Sequence, residues 1–175
     1  MKPLPHSFFD RPTLKVAREL IGCFLVRKIG GKIERHMIIE VEAYDGFKDE
    51  ASHASHGMTK RNQIMFKSAG HIYVYFTYGM HWMLNIVTGP LEYPAAVLIR
   101  GLESENGPAR LTKKLKIDGA LNGKMLSKKN GLWIEGRDAS MKQPKIMRTA
   151  RVGVLYAGKL WAEKKYRFVL KTESN

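Results

Sequence analysis

The chain has 175 residues, 44% of them hydrophobic, and carries 30 Lys and Arg against 16 Asp and Glu, a formal net charge of +14. This length and apolar content predict a single domain, residues 1–175, with one sizeable core. Neither a signal-peptide pattern nor an apolar run of about 20 residues is present, which argues against secretion and membrane insertion. The lone Cys23 cannot form an internal disulfide. We therefore expect an intracellular protein, cytoplasmic and associated with the nucleoid in a prokaryote, or nuclear in a eukaryote.

Positive charge is concentrated in the C-terminal part of the chain. Residues 1–106 contain 13 Lys and Arg against 11 Asp and Glu, whereas residues 107–175 contain 17 against 5. Basic side chains that lie along phosphates release condensed counterions, so this asymmetry favours a polyanionic partner. A lysine-rich surface that serves only solubility is the alternative at this point.

The N-terminal part of the sequence predicts a helix followed by a hairpin. Apolar residues recur three and four apart between Thr13 and Gly22, a spacing typical of an amphipathic helix. Residues 23–28 and 33–44 then have strand character on either side of a Gly-Gly turn. The second of these strands is long and ends in acidic and aromatic residues.

Glu40, Glu42 and Tyr44 share one face of this strand because they are two residues apart. A glutamate can activate water if it stays ionised within hydrogen-bond reach of that water, as at a strand end facing a cleft. Glu42 is the candidate base, whereas we expect Glu40 to pair with an arginine. A structural, salt-bridged Glu42 is the alternative.

A long polar segment, residues 45–70, predicts a loop, and loops of this length in compact domains are usually functional. It contains Asp49, Glu50, His53 and His56, whose spacing is compatible with a metal site. Because a cysteine pair or a third histidine at regular spacing is missing, we expect no metal. The sequence also lacks a P-loop, which argues against a nucleoside-triphosphate enzyme.

Residues 71–88 predict a second hairpin that turns at Gly79. Tyr73 and Tyr75 share one of its faces, and Tyr78 lies at its tip. Strand tyrosines usually pack in a half-buried surface, but they can also stack on nucleobases. Tyr78 has little core to pack against, and a wedge into a duplex would need such a position.

The rest of the chain predicts a strand over residues 95–101 and a basic amphipathic helix from Pro108 to Ile117. Short strands separated by lysine-rich loops are expected to follow, at residues 132–134, 152–154 and 166–170.

These features occur in ordered blocks that resemble the alkyladenine (3-methyladenine) DNA glycosylases. The matching blocks run through nearly the whole chain, at residues 40–44, 49–53, 61–62, 65–66, 73–80, 85, 98–100, 107–111 and 151–154. So many blocks in one order make the resemblance specific.

The resemblance implies an α+β fold, namely a single domain with a curved antiparallel β-sheet, flanking helices and a protruding hairpin that intercalates into DNA. It further implies a monofunctional glycosylase, monomeric and without cofactor or metal, whose partner is damaged double-stranded DNA. Such an enzyme flips an alkylated or deaminated purine (3-methyladenine, 7-methylguanine, hypoxanthine or ethenoadenine) out of the duplex. It then hydrolyses the N-glycosidic bond with an activated water and so initiates base excision repair.

Catalytic roles follow from the resemblance at three positions. Glu42 would be the general base, while Arg100 and the Val152 carbonyl would help to place the water. This agrees with the chemistry of the reaction, because a carboxylate beside the anomeric carbon both stabilises an oxocarbenium-like transition state and deprotonates water.

The resemblance also implies how the base would be held. Tyr44, His53 and Tyr75 would sandwich and read the flipped base, and Asn85 would disfavour ordinary guanine through its exocyclic amine. Tyr78 would fill the gap left in the base stack.

Two other classes of protein remain open from the sequence. A nucleic-acid-binding module without catalysis would keep the basic C-terminal part and the tyrosines, but would not need Glu42 to face a pocket. A small metal-dependent nuclease would require Asp49, Glu50, His53 and His56 to converge on an ion.

Overall fold

An antiparallel sheet runs through the computed structural model, which describes residues 2–138, 140 and 143–171. Its strands are β1 (Phe24–Ile29), β2 (Lys32–Asp45), β3 (Ile72–Thr77), β4 (His81–Val87), β5 (Ala95–Leu102), β6 (Glu105–Asn106), β7 (Leu132–Glu135), β8 (Ile146–Thr149) and β9 (Arg167–Leu170). The α-helices of the described ranges are α1 (His6–Phe9), α2 (Thr13–Leu20), α3 (Pro108–Lys114) and α4 (Gly158–Ala162).

The main path of the sheet has the strand order β3-β4-β5-β2-β1-β7, with β6 added beside β5 and the β8-β9 pair added beside β2. The long strand β2 changes partner along its length, since residues 32–37 pair with β1 and residues 40–42 pair with β9. Its pairing with β5 is irregular between Ile38 and Val41. Such irregularities bend a strand and increase its twist, so the sheet is curved.

Successive side chains of β2 point alternately to the core and to the cleft side of the sheet. Val41 and Ala43 are fully buried in the main apolar cluster, together with Val16 and Leu20 of α2. The apolar face of α2 covers this side of the sheet because its buried residues recur three and four apart. Glu42 therefore lies on the opposite face of the strand from that cluster.

The predicted fold class is confirmed, since helices flank a curved antiparallel sheet in an α+β architecture. The predicted helix from Thr13, both hairpins and the strand beginning at Ala95 are present. The predicted helix from Pro108 ends at Lys114, earlier than expected.

The expectation of a strand at residues 152–154 was wrong. Gly153 has a φ of 75°, in the left-handed region, which interrupts an extended backbone. The backbone N–H of Val152 donates to the Glu42 carboxylate, so it is not available to a neighbouring strand. The departure from strand geometry thus coincides with a contact to the candidate base.

The described helices are all too short or too polar to cross a membrane.

Candidate active site

A cleft of about 1310 Å³ opens where β2, β3, β4 and the segment after Arg151 meet. All but one of the side chains predicted to form the site line this cleft, namely Tyr44, His53, Tyr75, Tyr78, Asn85, Arg100 and Val152. The exception is Glu42, whose side chain is fully buried directly behind the lining. The structure thus brings together residues that are up to 110 positions apart in the sequence.

The Glu42 carboxylate is held by donors from three different segments. Oε1 accepts a hydrogen bond of 2.7 Å from the Val152 backbone N–H. Oε2 accepts one of 2.9 Å from the Tyr44 hydroxyl and a longer one of 3.4 Å from Arg100 Nη1. Burial raises the pKa of Glu42, and the Arg100 charge, the Val152 N–H and the Tyr44 hydroxyl only partly offset this rise. Glu42 is therefore a stronger base than a solvated glutamate, in a fixed orientation.

Glu40 is the neighbouring carboxylate, and two arginines hold it. Arg100 Nε donates to Glu40 Oε1 at 2.9 Å, and Arg167 Nε donates to the same oxygen at 2.7 Å. The prediction that Glu40 pairs with an arginine is confirmed. Arg100 bridges the two glutamates, which fixes its guanidinium at the edge of the cleft.

Aromatic rings cluster on the pocket side of the β3-β4 hairpin. The rings of His53 and Tyr75 are 4.6 Å apart at 75°, and those of Tyr73 and Tyr75 are 5.3 Å apart. His53 Nδ1 lies 3.1 Å from the Tyr73 hydroxyl. Burial and the Arg61 charge lower the pKa of His53 to about 4, so the imidazole is neutral at pH 7. A neutral ring can stack on a base and offers one nitrogen as a donor or an acceptor.

Asn85 lies on β4, where it pairs with Tyr73 of β3 and Leu98 of β5. Its side chain is 4% exposed, and Nδ2 donates a hydrogen bond of 3.3 Å to the Tyr73 carbonyl. The amide is therefore fixed in place where it lines the cleft.

Tyr78 occupies the tip of the hairpin and is 84% exposed. Tyr78 and Gly79 have φ values of 52° and 66°, and the Met80 N–H donates to the Thr77 carbonyl. The first two of the three residues that connect β3 to β4 therefore have positive φ, as is common in tight hairpin turns. Positive φ is unusual for a tyrosine, so the turn holds a large ring outward at a conformational cost.

Sequence reasoning missed the role of Arg151. Its guanidinium and the Asp49 carboxylate are fully buried and form two short contacts, of 2.5 and 2.8 Å. Arg151 also donates to the Ala43 carbonyl at 2.9 Å. Both residues belong to matching blocks of the sequence, but no spacing rule pairs positions 102 apart.

The residues required for a nuclease metal site do not converge. Asp49 is paired with Arg151, and His53 contacts Tyr73. His56 Nδ1 instead lies 2.8 Å from the Ser55 hydroxyl. Within the described ranges, no group of three or more His, Cys, Asp or Glu could hold a metal ion.

A buried carboxylate behind a cleft lined with aromatic rings suits a hydrolase that takes a nucleobase into a pocket. Comparison with known proteins agrees, because the chain matches the family model described as Methylpurine-DNA glycosylase (MPG) over residues 7–174. The chain therefore belongs to the methylpurine-DNA glycosylase family.

Relatives in three organisms match nearly the full length of the chain. The protein of Methanocella arvoryzae is 43% identical, over 90% of this chain and 88% of its own length. The protein of Carboxydothermus hydrogenoformans is 42% identical, over 96% of this chain and 95% of its own length. The protein of Legionella pneumophila (strain Corby) is 41% identical, over 98% of this chain and 96% of its own length. Each carries the name "Putative 3-methyladenine DNA glycosylase".

Proposed function

We propose that this chain is a monofunctional DNA glycosylase that removes alkylated and deaminated purines from duplex DNA and so initiates base excision repair. The observation that carries the proposal is the fully buried Glu42 carboxylate, held by three donors directly behind an aromatic cleft. Membership of the methylpurine-DNA glycosylase family and the names of the relatives support it. We further propose that the chain acts as one domain and as a monomer.

The reaction requires a water molecule on the sugar side of the pocket. With the purine flipped into the cleft, the bond between the anomeric carbon and the base nitrogen breaks, and its electron pair leaves with the base. The sugar becomes oxocarbenium-like, and the water oxygen attacks the anomeric carbon while Glu42 takes its proton. A cationic lesion leaves as the neutral purine, whereas the base of a neutral lesion takes up a proton from solvent. Glu42 returns its proton to solvent, so the products are an abasic site and a free purine.

Arg100 and Val152 have complementary roles in placing that water. The Val152 N–H donates to Glu42, and Val152 itself is exposed. The carbonyl of Val152 would accept a hydrogen bond from the water. Arg100 is anchored by Glu40 and lines the cleft, where its charge lowers the pKa of Glu42 and so favours the ionised carboxylate. The negative charge of Glu42 stabilises the cationic sugar in the transition state.

The cleft walls would select the base. Tyr44, Tyr75 and the neutral His53 provide ring faces for stacking, which is worth ~1–3 kcal/mol per base. The fixed amide of Asn85 would obstruct the exocyclic amine of guanine, and Tyr78 would occupy the space left in the duplex.

A base-release assay tests the proposal. Duplexes that carry 3-methyladenine, 7-methylguanine, hypoxanthine or ethenoadenine are incubated with the protein in the presence of EDTA, and abasic product is scored by alkaline strand cleavage. We expect release from at least one of these duplexes. Binding without release would support a non-catalytic module, whereas activity that EDTA abolishes would indicate a metal-dependent enzyme.

A further inference from the structure

We propose that Asp49 and Arg151, the buried ion pair behind the Tyr44 ring, set the preference of the pocket between cationic and neutral purine lesions. This inference rests on the proposed glycosylase function and concerns which lesions that same pocket accepts. Neither residue needs to touch the base, since both act through Tyr44.

The geometry places a full positive charge behind a stacking surface. The Arg151 guanidinium lies over the Tyr44 ring, 4.8 Å from its centroid, and 5.2 Å from the centroid of Tyr166. Tyr44 lines the cleft, whereas Arg151 is only 5% exposed and lies in the interior. The guanidinium thus covers the ring from the interior, and the cleft side of the ring is left for a base.

Asp49 supplies the compensating charge. Both its oxygens contact Arg151, and they also accept hydrogen bonds from the Asp45 and Ala51 backbone N–H groups, at 3.0 and 3.2 Å. These backbone contacts fix the carboxylate independently of the arginine. The pair is therefore close to neutral as a unit, and the charge that a base would sense through Tyr44 depends on Asp49.

Stability alone does not explain this arrangement. A buried ion pair loses its hydration on both sides, and apolar residues of similar volume often serve as well or better. Arg151 Nε has no hydrogen-bond partner among the described residues, so the guanidinium is not placed to satisfy all of its donors. Besides Asp49, it contacts the Ala43 carbonyl and lies over the rings of Tyr44 and Tyr166.

The charge matters because the lesions differ in charge. A 7-methylguanine base carries a positive charge in the duplex, whereas hypoxanthine is neutral. The face of an aromatic ring attracts a cation, but an uncompensated cation behind that ring would oppose the attraction. The two charges are the Arg151 guanidinium and a cationic base stacked on the other side of the Tyr44 ring, about 8 Å apart. At an effective dielectric constant of about 20, their repulsion corresponds to a roughly ten- to thirtyfold decrease in kcat/KM.

The test is the ratio of kcat/KM for 7-methylguanine to kcat/KM for hypoxanthine, in the same duplex context and at one pH and ionic strength. This ratio does not depend on the fraction of enzyme that folds. We expect Asp49→Asn to lower it by roughly ten- to thirtyfold, because Arg151 is left uncompensated. We expect Arg151→Gln to raise it, because Asp49 is then left without its cation. The double variant should return to within about threefold of the wild-type ratio.

The control is Glu135→Gln, which removes a carboxylate that Arg35 contacts at 2.8 Å in another, partly exposed ion pair outside the cleft lining. It should leave the ratio unchanged. Equal losses on both lesions in Asp49→Asn and Arg151→Gln, or ratio changes of the same sign in both, would overturn the inference and leave the pair a structural role. Failure of the wild-type protein to release either base would instead overturn the proposed function.

Discussion

At the scale of single residues, Glu42 combines two opposing influences on its proton. Burial favours the neutral acid, whereas Arg100, the Val152 N–H and the Tyr44 hydroxyl favour the carboxylate. The same three donors fix the direction of its oxygens. A general base needs a fixed orientation and a raised pKa, because the two together make proton abstraction from water efficient.

Replacing Glu42 with glutamine should abolish base release while damaged duplex is still bound. The amide keeps the size of the carboxylate but cannot take a proton, so we expect a loss of at least ~10²–10⁴-fold, as is typical of general base catalysis. Single-turnover release of 7-methylguanine and a separate binding titration measure the two effects. Near-normal release by the variant would instead favour Glu40 as the base.

Arg100→Gln should shift the pH dependence of the reaction. Glu42 must be ionised to act, so base release falls as the pH drops through its raised pKa. Arg100 is the strongest of the influences that lower this pKa, and without it the acid limb should move to higher pH. Single-turnover rates on 7-methylguanine give the profile, because that lesion is already cationic and needs no added proton. An acid limb at an unchanged pH would show that another group controls it.

At the scale of elements, the β3-β4 hairpin has two structurally distinct regions. Its pocket face carries Tyr73, Tyr75 and Asn85, whereas the turn at its tip exposes Tyr78. Because the strands pair in register up to Thr77 and His81, a change at the tip should leave the pocket face intact.

Tyr78→Ala should reduce the flipped population of the lesion, measured as the fluorescence of ethenoadenine leaving the stack. Flipping costs a few kcal/mol, and an aromatic plug recovers part of that cost, so we expect an effect of ~1–3 kcal/mol. The salt dependence of binding should keep its wild-type slope because no charge is removed. Tyr75→Ala is the comparison, and a loss of flipping only in that variant would move the wedge role away from the tip.

The elements also show what the sequence can and cannot predict. The two-residue periodicity of a strand predicts that Glu42 and Tyr44 share one face of β2. In the structure the Tyr44 hydroxyl donates a hydrogen bond of 2.9 Å to Glu42. Alternation is local, however, and says nothing about which distant segment lies opposite. The contact of Val152 with Glu42 and the pair of Arg151 with Asp49 depend on how the curved sheet brings the C-terminal part back to β2, so no single-sequence pattern predicts their geometry.

At the scale of the whole molecule, the basic C-terminal part of the chain forms one wall of the cleft, through residues 152–161. Lys159 belongs to α4, whose Trp161 lines the cleft, and it is exposed. Lys32 is also exposed but lies at the turn between β1 and β2. The two lysines therefore form a matched pair for locating the DNA path.

Lys159→Gln should make the negative slope of log K against log salt shallower by about 0.9, the value for one lost phosphate contact. Lys32→Gln should leave the slope unchanged. Binding to an undamaged duplex, titrated between low and moderate salt, measures both variants. Identical slopes for Lys159→Gln and the wild type would place the phosphate backbone away from α4.

Because β2 pairs with β9 and Glu42 accepts a hydrogen bond from Val152, the order of synthesis on the ribosome affects when this site can form. Glu42 emerges early, but its Val152 donor and the β9 strand beside it are made more than a hundred residues later. Synthesis proceeds from the N-terminus, so domains and their parts become available in that order. A nascent chain that ends before residue 151 already has the aromatic hairpin and Glu42. It lacks the Val152 N–H that orients the Glu42 carboxylate. The Glu42 site is thus assembled only after synthesis has passed residue 152, and a shorter nascent chain has no fully oriented carboxylate behind the cleft.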